Sequence, residues 1–200
     1  DLIRSGRADV MLAGGTEACL TPFCMAMFAA TGILSRRGDD PAGACRPFDR
    51  DRDGIVVGEG AGMIVLESEA HARARSARSY CELLGVGTTT DAHSLTGVPP
   101  DGEGLCRAIA AALADAGRTP EEVDYINAHG TGTRAGDAAE TAAIKAALGS
   151  HARRVAVSST KSMTGHLIGA SGGIEAAVCA LTVAQGLAAP TINLRNPDPA

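Results

Sequence analysis

The sequence predicts a layered α/β fold, and three observations carry that expectation. Short apolar runs that stop at glycine or at polar clusters, such as "ADVMLAGG" and "VDYINA", read as strands. Between them lie longer stretches with apolar residues at helical spacing, as Leu105, Ile109 and Leu113 show in "GEGLCRAIAAALADAG". Aromatic residues are only 2% of a chain that is 45% hydrophobic, so the layers must pack through Ala, Val, Ile and Leu. Strands alternating with helices bury both faces of a sheet.

In chain order, "DLIRSG" reads as the last turns of a helix closing at Gly6. Ala8 to Gly15 is a strand ended by paired glycines. "LTPFCMAMFAATGIL" is a helix with Thr21 as N-cap and Pro22 in its first turn. "DGIVVGEGAGMIVLES" reads as two β segments around Gly58, Gly60 and Gly62. "EAHARARSAR" is a polar helix and "SYCELLGVGTTTD" a further strand. After Pro100 comes the helix that stops at Gly117, then the strand "VDYINA". "GDAAETAAIKAALG" opens on Asp137 and Glu140, spaced as a capping box, and ends at Gly149. "RVAVSST" is a strand, a long Ala/Gly-rich helix covers about 165–185, and "APTINL" is a short strand. The best seam lies near Ser79 and divides the chain into 1–78 and 79–200. Asp1 is not a start methionine, and the chain reads as a piece of a longer protein.

Bulk properties narrow the function. The net charge is -5 with no basic block, which argues against nucleic acid as a partner. No run approaches the about 18 apolar residues of a membrane span, and no signal peptide pattern is seen. The six cysteines (Cys19, Cys24, Cys45, Cys81, Cys106 and Cys179) form no CxxC pair. They read as small buried thiols in a reducing cytoplasm, with no zinc or disulfide framework.

Three motifs imitate ligand sites. Asp49, Asp51 and Asp53 alternate as in a calcium loop, but the position that needs a bidentate Glu is Gly60, and the flanks are β-like. Aspartates punctuating a turn account for them better. "GEGAG" lacks dinucleotide spacing and runs into a strand rather than a helix N-terminus. Lys161 follows "SST" without the Gly-rich cradle of a P-loop.

The informative histidines each follow a strand. His129 comes after "YINA" with Thr131 and Thr133; Lys161 and His166 come after "VAVSST". Carboxyl ends of strands in an open α/β layer form ligand crevices, so both imidazoles are expected in one pocket. A metal would need a third ligand, and His71, His93 and His151 have no matching pattern. Paired N–H donors for an oxyanion or enolate are the more natural use.

"NAHGTGTRAGDAAE" and "VSSTKSMTGHLIGASGGIEA" resemble the His and Lys-His motifs of the β-ketoacyl-[acyl-carrier-protein] synthases, closest to the type II elongating enzyme of fatty acid synthesis. "DVMLAGGTEA", "RPFDRDRDG" and "GEGAGMIVLE" match that family too, so the resemblance covers essentially the whole chain. It implies the thiolase-like fold (layered αβαβα, incomplete here at both ends), a homodimer and decarboxylative Claisen condensation of malonyl and acyl thioesters. His129, His166 and Lys161 match the family's catalytic residues, with the histidines stabilising an enolate and Lys161 acting electrostatically. Thr96, Thr131 and Thr133 match threonines that hold the phosphopantetheine arm, Phe28 a position lining the acyl pocket, and Glu175 a buried glutamate supporting the lysine. Where family members carry a basic carrier-protein contact, this chain has Gly32. No resident cofactor or metal is implied, because phosphopantetheine arrives on the acyl carrier protein.

The family's nucleophilic cysteine is expected upstream of Asp1. Cys45 precedes the "RPFD" loop, with no nucleophile-bearing helix after it, and is rejected. The chain by itself is expected to be inactive. Two rival readings remain: a ketosynthase of a type II polyketide pathway, and a non-catalytic partner subunit like a chain-length factor. The survival of both histidines and Lys161 weighs against the second.

Overall fold

The computed structural model describes residues 1–199, so the last residue of the 79–200 half, Ala200, lies outside the described residues. Strand β1 (Val10–Glu17) pairs antiparallel with β2 (Gly60–Glu67), Val10 opposite Glu67 and Glu17 opposite Gly60. Side chains alternate across a strand, so Met11, Ala13 and Gly15 share one face with their partners Leu66, Ile64 and Gly62. Helix α6 (Ser171–Gln185) covers that face. The paired glycines do not end β1 as expected. They belong to its middle, where Gly15 lets the Gly169 carbonyl come close and Gly62 lets the backbone of Gly173 do so; a Cβ on Gly62 would strike Gly173 and Ile174.

Helix α1 (Pro22–Thr31) starts where the sequence predicts, with Thr21 Oγ1 accepting from the Cys24 N–H at 3.3 Å. It ends at Gly32, whose φ of 72° is the left-handed conformation that closes a helix and that a lysine or arginine adopts only under strain. The polar helix is shorter than expected, α2 (Glu69–Ala74). Helix α3 (Glu103–Ala116) stops at Gly117 and packs on α4 (Arg134–Leu148). Ile144, Leu148 and Val155 form the buried centre between them, with Ile109, Leu113, Val123 and Ile126 against it. Strands β3 (Tyr125–Asn127) and β4 (Ala156–Ser158) run parallel in register, Asn127 beside Ser158.

Several expectations are corrected. Residues 79–91 and 189–194 form no strands: Gly85 and Gly87 lie against Ala112 and Ala108 of α3, but no ladder forms there among the described residues. Of the two β segments around Gly58, only β2 is a strand; Ile55 and Val57 make single bridges, to Leu34 and His166. The "DLIRSG" segment, by contrast, closes as expected: Ser5 N–H donates to the Asp1 carbonyl at 2.9 Å, and around Gly6, with φ of 69°, Arg7 donates to Leu2 and Gly6 to Ile3, the bonding of a helix C-terminus. The Asp137/Glu140 capping box does not exist, because α4 begins four residues earlier, after Thr133. The long helix expected over about 165–185 starts late: a separate short helix, α5 (Lys161–Thr164), precedes it, a 3₁₀ turn occupies Ile168–Ala170, and only α6 is regular. The break falls at Gly165, with φ of 72°, and at His166, whose backbone bonds to the 56–58 segment instead.

Residues 168–185 are long and apolar enough, by length and composition alone, to cross a membrane, which the sequence reading missed. Gly173 seated on the β1–β2 ribbon, and Glu175 paired with a buried lysine, mark this stretch as the helix that covers a sheet.

Candidate active site

Parallel pairing of β3 and β4 fixes where the functional side chains emerge. With Asn127 beside Ser158, both chains leave the sheet at one edge, His129 two residues later on one side and Lys161 three later on the other. Ser159 Oγ donates to the Gly130 carbonyl at 2.7 Å and ties the two loops together. His166 arrives from the next turn. Its N–H donates to the Val56 carbonyl at 2.7 Å and its carbonyl accepts from the Gly58 N–H at 3.0 Å.

The result is a tight group. The rings of His129 and His166 lie 5.4 Å apart, centre to centre, edge to face at 89°. Lys161 Nζ is 3.4 Å from His129 Nδ1 and is ion-paired with Glu175 of α6. An ammonium has only donors, so the network assigns the His129 Nδ1 as acceptor and puts the ring proton on Nε2. The same assignment follows at His166, where Nδ1 accepts from the Ile168 N–H at 3.1 Å and lies 3.0 Å from Ser171 Oγ.

Both imidazoles are neutral at physiological pH. Burial pushes the His129 pKa down to about 4, helped by the charge on Lys161 and by His166; burial and Lys161 push His166 down to about 4 as well. By surface area His129 is an exposed residue, yet its ring is crowded by protein. The crowding governs its titration, and Lys161 and His166 add to it. Two neutral rings, each with its Nε2–H available, form a donor pair suited to one oxygen that gains negative charge.

The supporting residues are where the sequence was misread. Glu140, about two turns into α4, accepts from the N–H groups of His129 and Gly130, each at 2.7 Å. Asp137 accepts from Phe48 at 2.9 Å and from Gly132 at 3.1 Å, with Arg52 Nε at 3.3 Å. These carboxylates hold the His129 loop rather than cap their own helix. Arg52, 3% exposed, also donates to the carbonyls of Thr133 and Arg134. Asp49 does punctuate a turn as expected, accepting from the Asp51 N–H at 2.9 Å, and in addition it is fully buried and accepts from the N–H groups of Arg195 and Asn196.

The other expected residues divide. Thr131 and Thr133 follow His129 with their hydroxyls 3.1 Å apart, Thr131 buried. Phe28 packs with Ile168 against the cluster of Cys19, Ile55 and Val57. Thr96 is exposed in a turn capped by Ser94 Oγ, and among the described residues the hydrogen bonds of the histidine group do not reach it. Cys45 is buried, its Sγ 2.9 Å from the Lys161 carbonyl, and burial raises its thiol to about 11. Among the described residues no three His, Cys, Asp or Glu side chains are grouped to hold a metal ion.

Residues 1–72 match the N-terminal domain of β-ketoacyl synthases, and residues 80–195 match the C-terminal domain. The chain belongs to the β-ketoacyl synthase family. It is 56% identical over 198 residues to 3-oxoacyl-[acyl-carrier-protein] synthase 2 of Synechocystis sp., and 52% identical over 198 residues to the Staphylococcus aureus protein of the same name. In both cases the match covers 99% of this chain and 48% of the relative, so the chain spans about half the length of the curated relatives it matches. Among solved structures, a β-ketoacyl synthase from Burkholderia phymatum superposes with a TM-score of 0.91 at 40% identity, covering 99% of this chain and 47% of that one. A ketosynthase solved with the acyl-carrier protein of its type II polyketide system, and bound to the hexaketide, superposes at 0.97 with 43% identity, covering 99% and 49%. The fold of this β-ketoacyl synthase chain is therefore thiolase-like, as the resemblance implied.

Proposed function

We propose that the intact protein is a 3-oxoacyl-[acyl-carrier-protein] synthase that lengthens an acyl chain by two carbons. The observation that carries this reading is the pair of neutral imidazoles 5.4 Å apart, each with Nδ1 occupied by a donor and Nε2–H left for substrate. A malonyl thioester bound there loses carbon dioxide, and the electron pair of the broken C–C bond passes into an enolate. His129 and His166 donate to its oxygen. The enolate carbon attacks an acyl thioester carried on a cysteine of the intact enzyme; a C–C bond forms, the C–S bond to that cysteine breaks, and the thiolate recovers. Lys161 with Glu175 supplies a fixed charge that keeps both rings neutral and orients His129.

Acyl carrier protein is the partner that delivers the malonyl group, and its phosphopantetheine arm meets Thr131 and Thr133, with Thr96 on the approach. Phe28 lines the acyl end. The resemblance further implies a homodimer, a division into halves near Ser79, which the gap between the matched segments supports, and a reducing cytoplasmic setting, which the free cysteines support.

The test is malonyl-carrier decarboxylation by the full-length protein with His129→Ala or His166→Ala. Loss of one preorganised donor is expected to cost about 100-fold or more in kcat; near-normal rates in both variants overturn the reading. A second reading, a ketosynthase of a type II polyketide system, rests on the 0.97 superposition described above. Preference between fatty acid and polyketide carrier proteins separates the two.

A further inference from the structure

His166 is held by more than the motif that names it. Its unprotonated Nδ1 has one lone pair, and two groups address it: the Ile168 N–H at 3.1 Å and Ser171 Oγ at 3.0 Å. The first is part of the backbone and cannot turn. It is aimed by an unusual conformation, since Ile168 has φ of 45°, which a β-branched residue adopts only when its surroundings enforce it. The surroundings are visible: the next N–H, of Gly169, donates to the Glu17 carboxylate of β1 at 3.3 Å, and Ile168 packs against the cluster of Cys19, Ile55 and Val57.

Ser171 is different. It opens α6, is 6% exposed, and among the described residues its hydroxyl has His166 as its hydrogen-bond partner. A hydroxyl in the first turn of a helix would ordinarily serve the helix end, whereas this one is turned to an imidazole.

We propose that Ser171 is a positioning residue for His166, its hydroxyl acting as the second donor on Nδ1 that fixes the ring's orientation and favours the neutral Nε2–H form. The inference rests on the functional reading above, in which that Nε2–H meets the thioester oxygen. A rotatable hydroxyl complements the fixed amide: it follows the ring through small shifts on substrate binding, which a backbone N–H cannot do. The charged and titratable groups around the ring stay in place when the hydroxyl is removed. They are His129, Lys161 of α5 with Glu175 of α6, Glu17 of β1, and Glu59, which follows the Gly58 bonded to the His166 carbonyl.

The experiment uses the full-length enzyme with Ser171→Ala and Ser171→Thr. Nitrogen NMR of the His166 side chain reads tautomer and titration midpoint; malonyl-carrier decarboxylation gives kcat and KM separately. In Ser171→Ala the neutral ring loses one donor, so its midpoint rises by about half to one pH unit, and kcat falls several-fold at unchanged KM. Ser171→Thr keeps the hydroxyl and restores both. The proposal is overturned if Ser171→Ala leaves the Nδ1 shift and midpoint at their wild-type values, or if Ser171→Thr behaves like Ser171→Ala. The NMR arm needs no catalysis. A shifted ring alongside a fully active His166→Ala enzyme upholds Ser171 and removes the functional reading instead.

Discussion

Lys161 and Glu175 form an ion pair beneath the site, and the same ammonium lies 3.4 Å from the Nδ1 of His129. One charge therefore does two things: it neutralises a half-buried carboxylate and keeps protons off the imidazoles. Burial and that charge set both histidines near 4, well below their ordinary value. For a depressed histidine the neutral form persists as pH falls below the usual midpoint of about 6.5 and is lost only near the folded value.

Lys161→Met in the full-length enzyme is expected to raise both histidine midpoints, though not to 6.5, because burial remains. The acid limb of the decarboxylation profile moves up with them. The variant also leaves Glu175 without its partner, a loss of about 3 kcal/mol or more by denaturant unfolding. Adding Glu175→Gln is expected to recover part of that stability while the histidine midpoints stay raised. Unchanged midpoints in Lys161→Met would show that the lysine acts through contact alone.

Glu140 is expected to matter as much to His129 as to the fold. Its two oxygens each take one N–H, from His129 and from Gly130, and the residue is 8% exposed. In Glu140→Gln the amide offers one oxygen and one NH₂, so one buried donor faces another donor. The expected cost is about 1–3 kcal/mol, read as a lower unfolding midpoint. Decarboxylation at a temperature where the variant is fully folded should still fall, since the loop carrying His129 has lost its brace. Full activity under those conditions would confine Glu140 to stability.

The contrast between His129 and Glu140 explains what was legible in the sequence. Thr21 before Pro22, and the stops at Gly117 and Gly149, are local devices that work through their own neighbours, and they were read correctly. The histidines, Lys161 and Glu175 lie within long motifs, so their grouping could be expected. Asp137 and Glu140 were misread because a capping box and a pair of inward-facing carboxylates share one spacing; only the true helix start, after Thr133, separates them. Residues 79–91 and 189–194 have strand-like composition, but a strand exists only when a neighbour supplies the ladder, and composition does not report the neighbour. The division of the long helix was hidden for a similar reason. The bonds of His166 to Val56 and Gly58 come from a segment more than 100 residues away.

Cys45 is expected to be chemically quiet. Its Sγ donates to the Lys161 carbonyl, and burial lifts the thiol to about 11, so almost no thiolate exists near neutrality. Alkylation of the folded protein at about pH 8 should mark the exposed Cys81 and spare Cys45, as peptide mass mapping would show. Rapid labelling of Cys45 would mean that the loop preceding "RPFD" opens readily.

Gly62 tests the seat of α6. Its φ is ordinary, so alanine meets no backbone strain there, but the added methyl runs into Gly173 and Ile174. The helix must lift, and with it Ser171 and Glu175, the two residues that reach His166 and Lys161. Gly62→Ala is expected to lose about 1–3 kcal/mol or more, with decarboxylation reduced in the fraction that remains folded. Gly172→Ala is the matched control. It adds a methyl to the same helix where nothing lies within 4 Å, and it should be neutral or stabilising by up to about 1 kcal/mol, because alanine favours the helix. Equal destabilisation by the two would mean that the helix, not its close approach to β2, is what fails. A large loss in Gly62→Ala beside a silent Gly172→Ala places the constraint at the contact between strand and helix, which fixes how far Glu175 stands from Lys161.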